Sequence, residues 1–275
     1  MDWKSLGNPS PTSLREARVQ LHWAAQVLSA LADRWLQAQP DDSHTNMEWR
    51  PELGALVGNP TESGLRLALR PHDLHLLALR EDRTVATLAL GGATLAEAMR
   101  WADEQAATSG GGPVRGVQAR DYDMPAHPVR SAGAPFTVDG EALAALGRWF
   151  QAGDALLREL AAREPGTIPV RIWPHHFDAG SIAFLDEPGH TARQLGFGLS
   201  PGDHYYEEPY FYLTVYPMRP SPRFPALAGG GFWREQPPFV GAVLRGSTLV
   251  GEADPLAAAR AFFDSAFAGA RTLLP

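Results

Sequence analysis

The sequence predicts an α+β fold, a single domain over residues 1–275 in which helices pack on one or more sheets. Long segments with an apolar residue at every third or fourth position alternate with short segments in which every second residue is apolar. The order helix, strands, helix also occurs twice, over about residues 13–119 and 139–275, with a loop at 120–138. We therefore expect two pseudo-repeats with mostly antiparallel strands.

The first pseudo-repeat opens with a long amphipathic helix at about residues 13–37, for which Ser13 and Glu16 form a candidate capping box. Thr94 and Glu97 form a second capping box, which begins a helix that ends near residue 108. Strands are predicted at 47–57, 64–70, 73–80, 84–90 and 114–119.

The second pseudo-repeat begins with a helix at about residues 140–163, which ends before Pro165-Gly166. Asp254 and Pro255 are typical of the first positions of a helix, and they predict a last helix that contains Phe263 and Phe267. Strands are predicted at 168–174, 180–185, 192–199, 209–217 and 239–245.

The composition excludes several classes of site. The chain has no cysteine, so disulfides, thiolate metal sites and cysteine nucleophiles are excluded. Lys and Arg number 24 against 31 Asp and Glu, and this net charge of −7 argues against nucleic-acid binding. The sequence has no signal peptide and no apolar run of about 20 residues, which predicts a cytoplasmic protein without a membrane segment.

Several motifs resemble those of a family of proteins. They are L-H-W-x-x-Q-V at 21–27, W-P-H-H-F-D at 173–178, G-F-G-L-S-P-G-D at 196–203, P-Y-F-Y-x-x-x-Y-P at 209–217 and the D-P-x-x-x-A-x-x-F-F helix. In this order they resemble a bacterial family of uncharacterised proteins, a domain of unknown function, over most of the chain. The resemblance implies no reaction, but it draws attention to His22, Gln26, Phe177, Asp178 and Tyr212. Family members read F-W-G-S-F-D where this chain reads I-W-P-H-H-F-D, so His175 and His176 are a departure.

The candidate site lies between residues 171 and 217, which contain five of the six tyrosines and four of the nine histidines, including His190. Alternation along strand 209–217 predicts that Tyr210, Tyr212 and Tyr216 share one face. If 192–199 is the hairpin partner, its glycines at 196 and 198 leave open space beside these rings. This arrangement predicts a pocket for a planar or sugar-like ligand. Alternatively, the rings cover the glycines and stabilise the sheet.

The favoured hypothesis is accordingly a protein that binds a small molecule in a pocket lined by tyrosine and histidine, without a cofactor. The expected ligand-binding residues are His22, Trp173, His175, Tyr205, Tyr210, Tyr212 and Tyr216.

Two other hypotheses stay open. One is a hydrolase in which His176, Asp178 and Asp203 act as acid and base or hold a divalent metal, since a His and an Asp two residues apart share a face wherever the backbone continues as a strand. The simpler interpretation is that His176 and Asp178 bond to each other and that Asp203 belongs to a turn. No nucleophile elbow, phosphate-binding loop or H-E-x-x-H helix occurs. The other hypothesis is a homodimer that buries the concentrated aromatic residues.

Overall fold

The computed structural model describes residues 2–187, 192–220 and 223–275, and it confirms the α+β class. These residues form six α-helices and eleven β-strands. In chain order they are α1 Arg15–Trp35, β1 Met47–Arg50, β2 Ala55–Gly58, β3 Arg66–Arg70, β4 His75–Arg80, β5 Arg83–Ala89, α2 Leu95–Gly110, α3 Pro128–Ser131, α4 Gly140–Arg163, β6 Arg171–Ile172, β7 Ala179–Phe184, β8 Gln194–Ser200, β9 Tyr210–Tyr216, β10 Phe232–Arg234, β11 Gly241–Arg245, α5 Gly246–Val250 and α6 Pro255–Leu273.

The chain divides into two compact units, and both are discontinuous in sequence. Unit 1 comprises Met1–Ser13, Ala152–Val170 and Asp178–Pro275. Unit 2 comprises Leu14–Gln151 and Arg171–Phe177. These bounds differ from those of the pseudo-repeats, and a single domain formed by duplication stays a prediction.

Unit 2 contains six strands in the antiparallel order β6-β1-β2-β3-β4-β5. Helix α1 was predicted to be amphipathic, but 17 of its 21 residues are buried. The reason is that another segment of unit 2 packs on the face expected to meet solvent. On that face the indole of Trp23 donates to the carbonyl of Pro125 at 3.1 Å. A helix buried on all sides must satisfy its polar side chains within the protein, and these include His22 and Gln26.

Unit 1 contains five strands in the antiparallel order β10-β11-β9-β8-β7. Helix α6 packs aromatic side chains against this sheet. The ring of Phe263 lies 5.6 Å from that of Phe211 on β9, and the ring of Phe267 lies 5.2 Å from that of Phe197 on β8. Asp254 caps α6 as predicted, since its carboxylate accepts from the backbone N–H of Ala257 at 3.0 Å.

Three predicted elements differ in the structure. The expected strand 47–57 is two strands, because residues 51–54 form a turn in which Gly54 has φ +56°. The capping box at Ser13 is wrong, since the Ser13 hydroxyl donates to the carbonyl of Ser10. No strand forms at 114–119, because the carboxylate of Asp103 accepts the backbone N–H groups of residues 115–117 that a strand would need.

The remaining differences are short elements. Strand β10 and helix α5 were not predicted, and the loop 120–138 contains α3. The capping box of Thr94 and Glu97 is confirmed at the start of α2. Among the described residues, no helix combines the length and the apolar composition needed to span a membrane.

Candidate functional site

Two tyrosine–aspartate pairs lie side by side on one face of β9 in unit 1. Tyr210 and Tyr212 share the predicted face, and alternation buries Phe211 and Leu213 on the opposite face. The Tyr212 hydroxyl donates to the carboxylate of Asp178, and the Tyr210 hydroxyl donates to Asp203 at 2.5 Å. Burial, together with the neighbouring carboxylate, raises the pKa of both phenols, so they remain protonated donors at neutral pH.

Asp203 organises the loop between β8 and β9. Its Oδ1 atom accepts the backbone N–H groups of Tyr205 and Tyr206 at 2.7 and 3.2 Å. Its Oδ2 atom accepts from Tyr210 and, at 3.4 Å, from Ser200. Four donors thus surround one carboxylate, which fixes the loop and leaves Asp203 little capacity to act as a general base. The contacts of Asp203 in the structure are thus those of a residue that holds a loop.

Phe239 brings the tyrosines of this region together. Its ring centroid lies 5.2 Å from that of Tyr205 and 6.4 Å from those of Tyr210 and Tyr212. We call these four residues the aromatic cluster. Sequence reasoning assigned Phe239 only to the start of a strand, and the one signal for it was an aromatic residue that directly follows two prolines.

Two arginines lie over rings at this end of unit 1. The guanidinium of Arg234 is 4.8 Å from the Tyr205 centroid and 5.7 Å from that of Phe239, and it donates to the Phe239 carbonyl at 2.5 Å. The guanidinium of Arg245 lies 5.2 Å from the Tyr206 centroid and 3.9 Å from the carboxylate of Glu208. Both cations are therefore held by the protein.

The glycines beneath Tyr212 do not leave the open space that the pocket hypothesis expects there. A Cβ atom at Gly198 would lie 2.5 Å from the Tyr212 hydroxyl oxygen, and one at Gly180 would lie 2.8 Å from it. At Gly196 the space is taken by the Thr214 hydroxyl, 2.6 Å from a Cβ. The Tyr212 side chain thus covers this glycine surface, as the alternative interpretation holds.

Of the other tyrosines predicted for the site, Tyr205 belongs to the cluster and Tyr216 does not. Tyr216 is 52% exposed at the end of β9, where it pairs with Gln194. His190 lies outside the residues that the structure describes.

The remaining predicted ligand-binding residues lie in unit 2, with His22 on α1 and Trp173 and His175 in the segment that follows β6. The carbonyl of Pro174 accepts from the His22 ring and from the Gln26 amide, both at 2.8 Å. The His22 ring also stacks on Phe177, with centroids 4.8 Å apart and an angle of 7° between the planes. Desolvation by burial lowers the pKa of His22 to about 4, so this imidazole is neutral at physiological pH.

His175, His176 and Asp178 do not follow the alternation of a strand, because β6 ends at Ile172. Residues 174–176 form a turn closed by a hydrogen bond of 2.7 Å from the Phe177 N–H to the Trp173 carbonyl, and Phe177 has φ +58°. The rings of His175 and His176 consequently lie 4.2 Å apart instead of on opposite faces. The ring of Trp173 lies 6.2 Å from that of His175.

His176 is exposed, and the acid–base and metal roles assigned to His176, Asp178 and Asp203 stay predictions. Over residues 2–187, 192–220 and 223–275, no group of three His, Asp or Glu side chains is arranged to hold a metal ion. No family model, curated protein or solved structure matches the chain.

Proposed function

We propose that this protein binds a small, uncharged ring compound, such as a sugar or a planar heterocycle, at the aromatic cluster of unit 1. The observation that carries the proposal is the convergence of Tyr205, Tyr210 and Tyr212 on the ring of Phe239. Aromatic rings with one accessible face are common binding surfaces for flat ligands, because stacking buries apolar area without requiring a charge.

The aromatic cluster contains one ring that is fixed in place and others that are partly accessible. Tyr210 is buried and is held by Asp203, whereas Tyr205 and Phe239 are half-buried and His204 beside them is exposed. The ring of His204 lies 3.8 Å from that of Tyr205 and extends the surface. Because the loop is already fixed by the hydrogen bonds of Asp203, a ligand that stacks on these rings loses little free energy to ordering them.

The surrounding charges favour a neutral ligand. Arg234 already lies over Tyr205 and Phe239, which disfavours a cationic ligand at those faces. The net charge of −7 disfavours the approach of an anion. Polar contacts can come from the Tyr205 hydroxyl and the His204 imidazole, since phenol and imidazole groups both exchange hydrogen bonds with ligand hydroxyl or amide groups. The cytoplasmic location stays a prediction.

The test is ligand-observed NMR with glucose, maltose, adenine and uracil as probes. We expect at least one probe to bind the wild type, and Phe239→Ala and Tyr205→Ala each to weaken it about tenfold or more, since each removes a stacking surface. Tyr216→Ala is the matched control, because it removes an exposed tyrosine of β9 outside the cluster. The proposal fails if no probe binds, or if binding persists unchanged in both cluster variants.

A further inference from the structure

Unit 2 contains a cavity that the proposed function does not use. Its volume is about 580 Å³, and it lies between the first ten residues of α2 and the segment 114–133. This volume falls within the range of pockets that enclose small organic ligands. Its lining is mostly apolar and includes the buried side chains of Leu95, Met99, Val117 and Val129, and exposed residues of both segments complete it.

The segment that closes the cavity is held in place by Asp103. Both carboxylate oxygens accept hydrogen bonds, from the Trp35 indole at 2.8 Å and from the backbone N–H groups of Arg115 and Gly116 at 2.9 and 2.6 Å. Burial would raise the pKa of Asp103, but these donors outweigh it and hold the pKa below its ordinary value. The buried charge is thus balanced by N–H groups, and Asp103 is committed to holding the wall.

The exposed charged side chains that line the cavity are those of Arg100, Glu104 and Arg130. Arg130 lines the cavity and is exposed, and among the described residues no carboxylate forms an ion pair with its guanidinium. Arg100 lies 4.0 Å from the carboxylate of Glu104 and also interacts with that of Glu97, so its charge is partly balanced and Arg130 is the better partner for a ligand. An accessible guanidinium at the edge of an apolar cavity favours a carboxylate, which it can bind with two parallel hydrogen bonds.

We propose that this cavity binds a small amphipathic carboxylate, with its hydrocarbon part against Met99 and Val129 and its carboxylate on Arg130. The hydrocarbon gains by leaving water for an apolar surface, and the carboxylate remains near solvent at the edge of the cavity. This site is independent of the aromatic cluster, since all of its residues belong to unit 2.

The test uses the whole chain, decanoate as the probe and isothermal titration calorimetry. We expect wild-type protein to bind decanoate, and Arg130→Gln to weaken binding about tenfold or more because it removes the charged partner. Arg83→Gln is the matched control, an exposed arginine of unit 2 outside the cavity, and it should bind decanoate as the wild type does. Val129→Trp, which fills the cavity, should abolish binding.

A second measurement distinguishes the cavity from other sites and does not depend on the variants. The isotope-labelled methyl group of Met99 should shift in the NMR spectrum of wild-type protein when decanoate is added.

Two controls complete the test. Decanol should bind wild type and Arg130→Gln equally, and Phe239→Ala should leave decanoate binding unchanged. The proposal is overturned if decanoate gives neither heat nor a Met99 shift, if Arg130→Gln binds it as well as wild type, or if decylammonium binds more tightly than decanoate.

Discussion

His22 shows how one buried side chain makes stability depend on pH. Its ring is 7% exposed, is bonded to the Pro174 carbonyl and is stacked on Phe177. The folded state holds the pKa at about 4, whereas the ordinary value is 6.5, so the unfolded chain binds the proton more readily. The stabilisation is therefore present at pH values above the His22 pKa of the unfolded chain. It is lost as the pH falls towards the His22 pKa of the folded protein.

We expect His22 to contribute a loss of roughly 2 kcal/mol in the free energy of unfolding between pH 7 and pH 5. Urea unfolding at both pH values measures this, and His22→Gln should remove the contribution. His72→Gln, which replaces an exposed histidine of the same unit, should retain the wild-type dependence on pH. A His22→Gln protein with the same loss as wild type would contradict the assignment.

The candidate site was predictable wherever local alternation decides which way a side chain points. The shared face of Tyr210 and Tyr212 follows from the period of a strand, and the structure has it. The turn at residues 174–177 does not follow from any pattern, because Phe177 adopts a positive φ that a bulky side chain rarely takes. The role of Phe239 depends on which loop packs beside β9, and that is a long-range contact.

At the scale of elements, the Asp103 carboxylate holds residues 115–117 in a conformation other than the strand predicted at 114–119. Asp103→Asn leaves one acceptor oxygen and adds an amide that faces the N–H groups of residues 115–117. We expect a loss of about 3 kcal/mol in the free energy of unfolding, because buried donors lose a charged acceptor. Urea unfolding gives the loss, and hydrogen exchange should become faster at amides 115–117.

The matched control for Asp103→Asn is Glu104→Gln. Glu104 is the next residue of α2 and is exposed, so its replacement should change stability by about 0.5 kcal/mol or less. If Asp103→Asn has the stability and exchange rates of Glu104→Gln, the segment is held by something other than the carboxylate.

Elements with strong local signals were predicted well. Thr94 and Glu97 form the expected capping box, and α4 spans the predicted residues 140–163. Ser13 and Glu16 have the same spacing but do not cap, because Glu16 instead accepts from Gln20 and His127. The difference is tertiary: His127 is far away in sequence, and no local pattern identifies it as a competing partner.

At the scale of the whole molecule, each unit is assembled from distant parts of the sequence. In unit 2 the short segment 171–177 supplies β6, whose Ile172 pairs with Met47 of β1. The same segment supplies the Pro174 carbonyl that satisfies His22 and Gln26. Without it, two buried polar side chains of α1 lose a shared acceptor.

We therefore expect the fragment 14–151 to lack cooperative urea unfolding and a native near-ultraviolet circular dichroism spectrum. The matched fragment 14–177 contains the missing segment and should show both. The two proteins differ only by residues 152–177, so their comparison isolates that part of the chain. Cooperative unfolding of 14–151 at the urea midpoint of 14–177 would contradict this expectation.

The same discontinuity sets the order of events during synthesis on the ribosome. In unit 1, the Trp3 ring packs 6.3 Å from that of Phe211, its partner about 200 residues later in translation. At 5 to 20 residues per second, the nascent N-terminal segment waits roughly 10 to 40 seconds for that partner. Unit 2 can finish once residue 177 has left the exit tunnel, whereas unit 1 also requires residues 178–275.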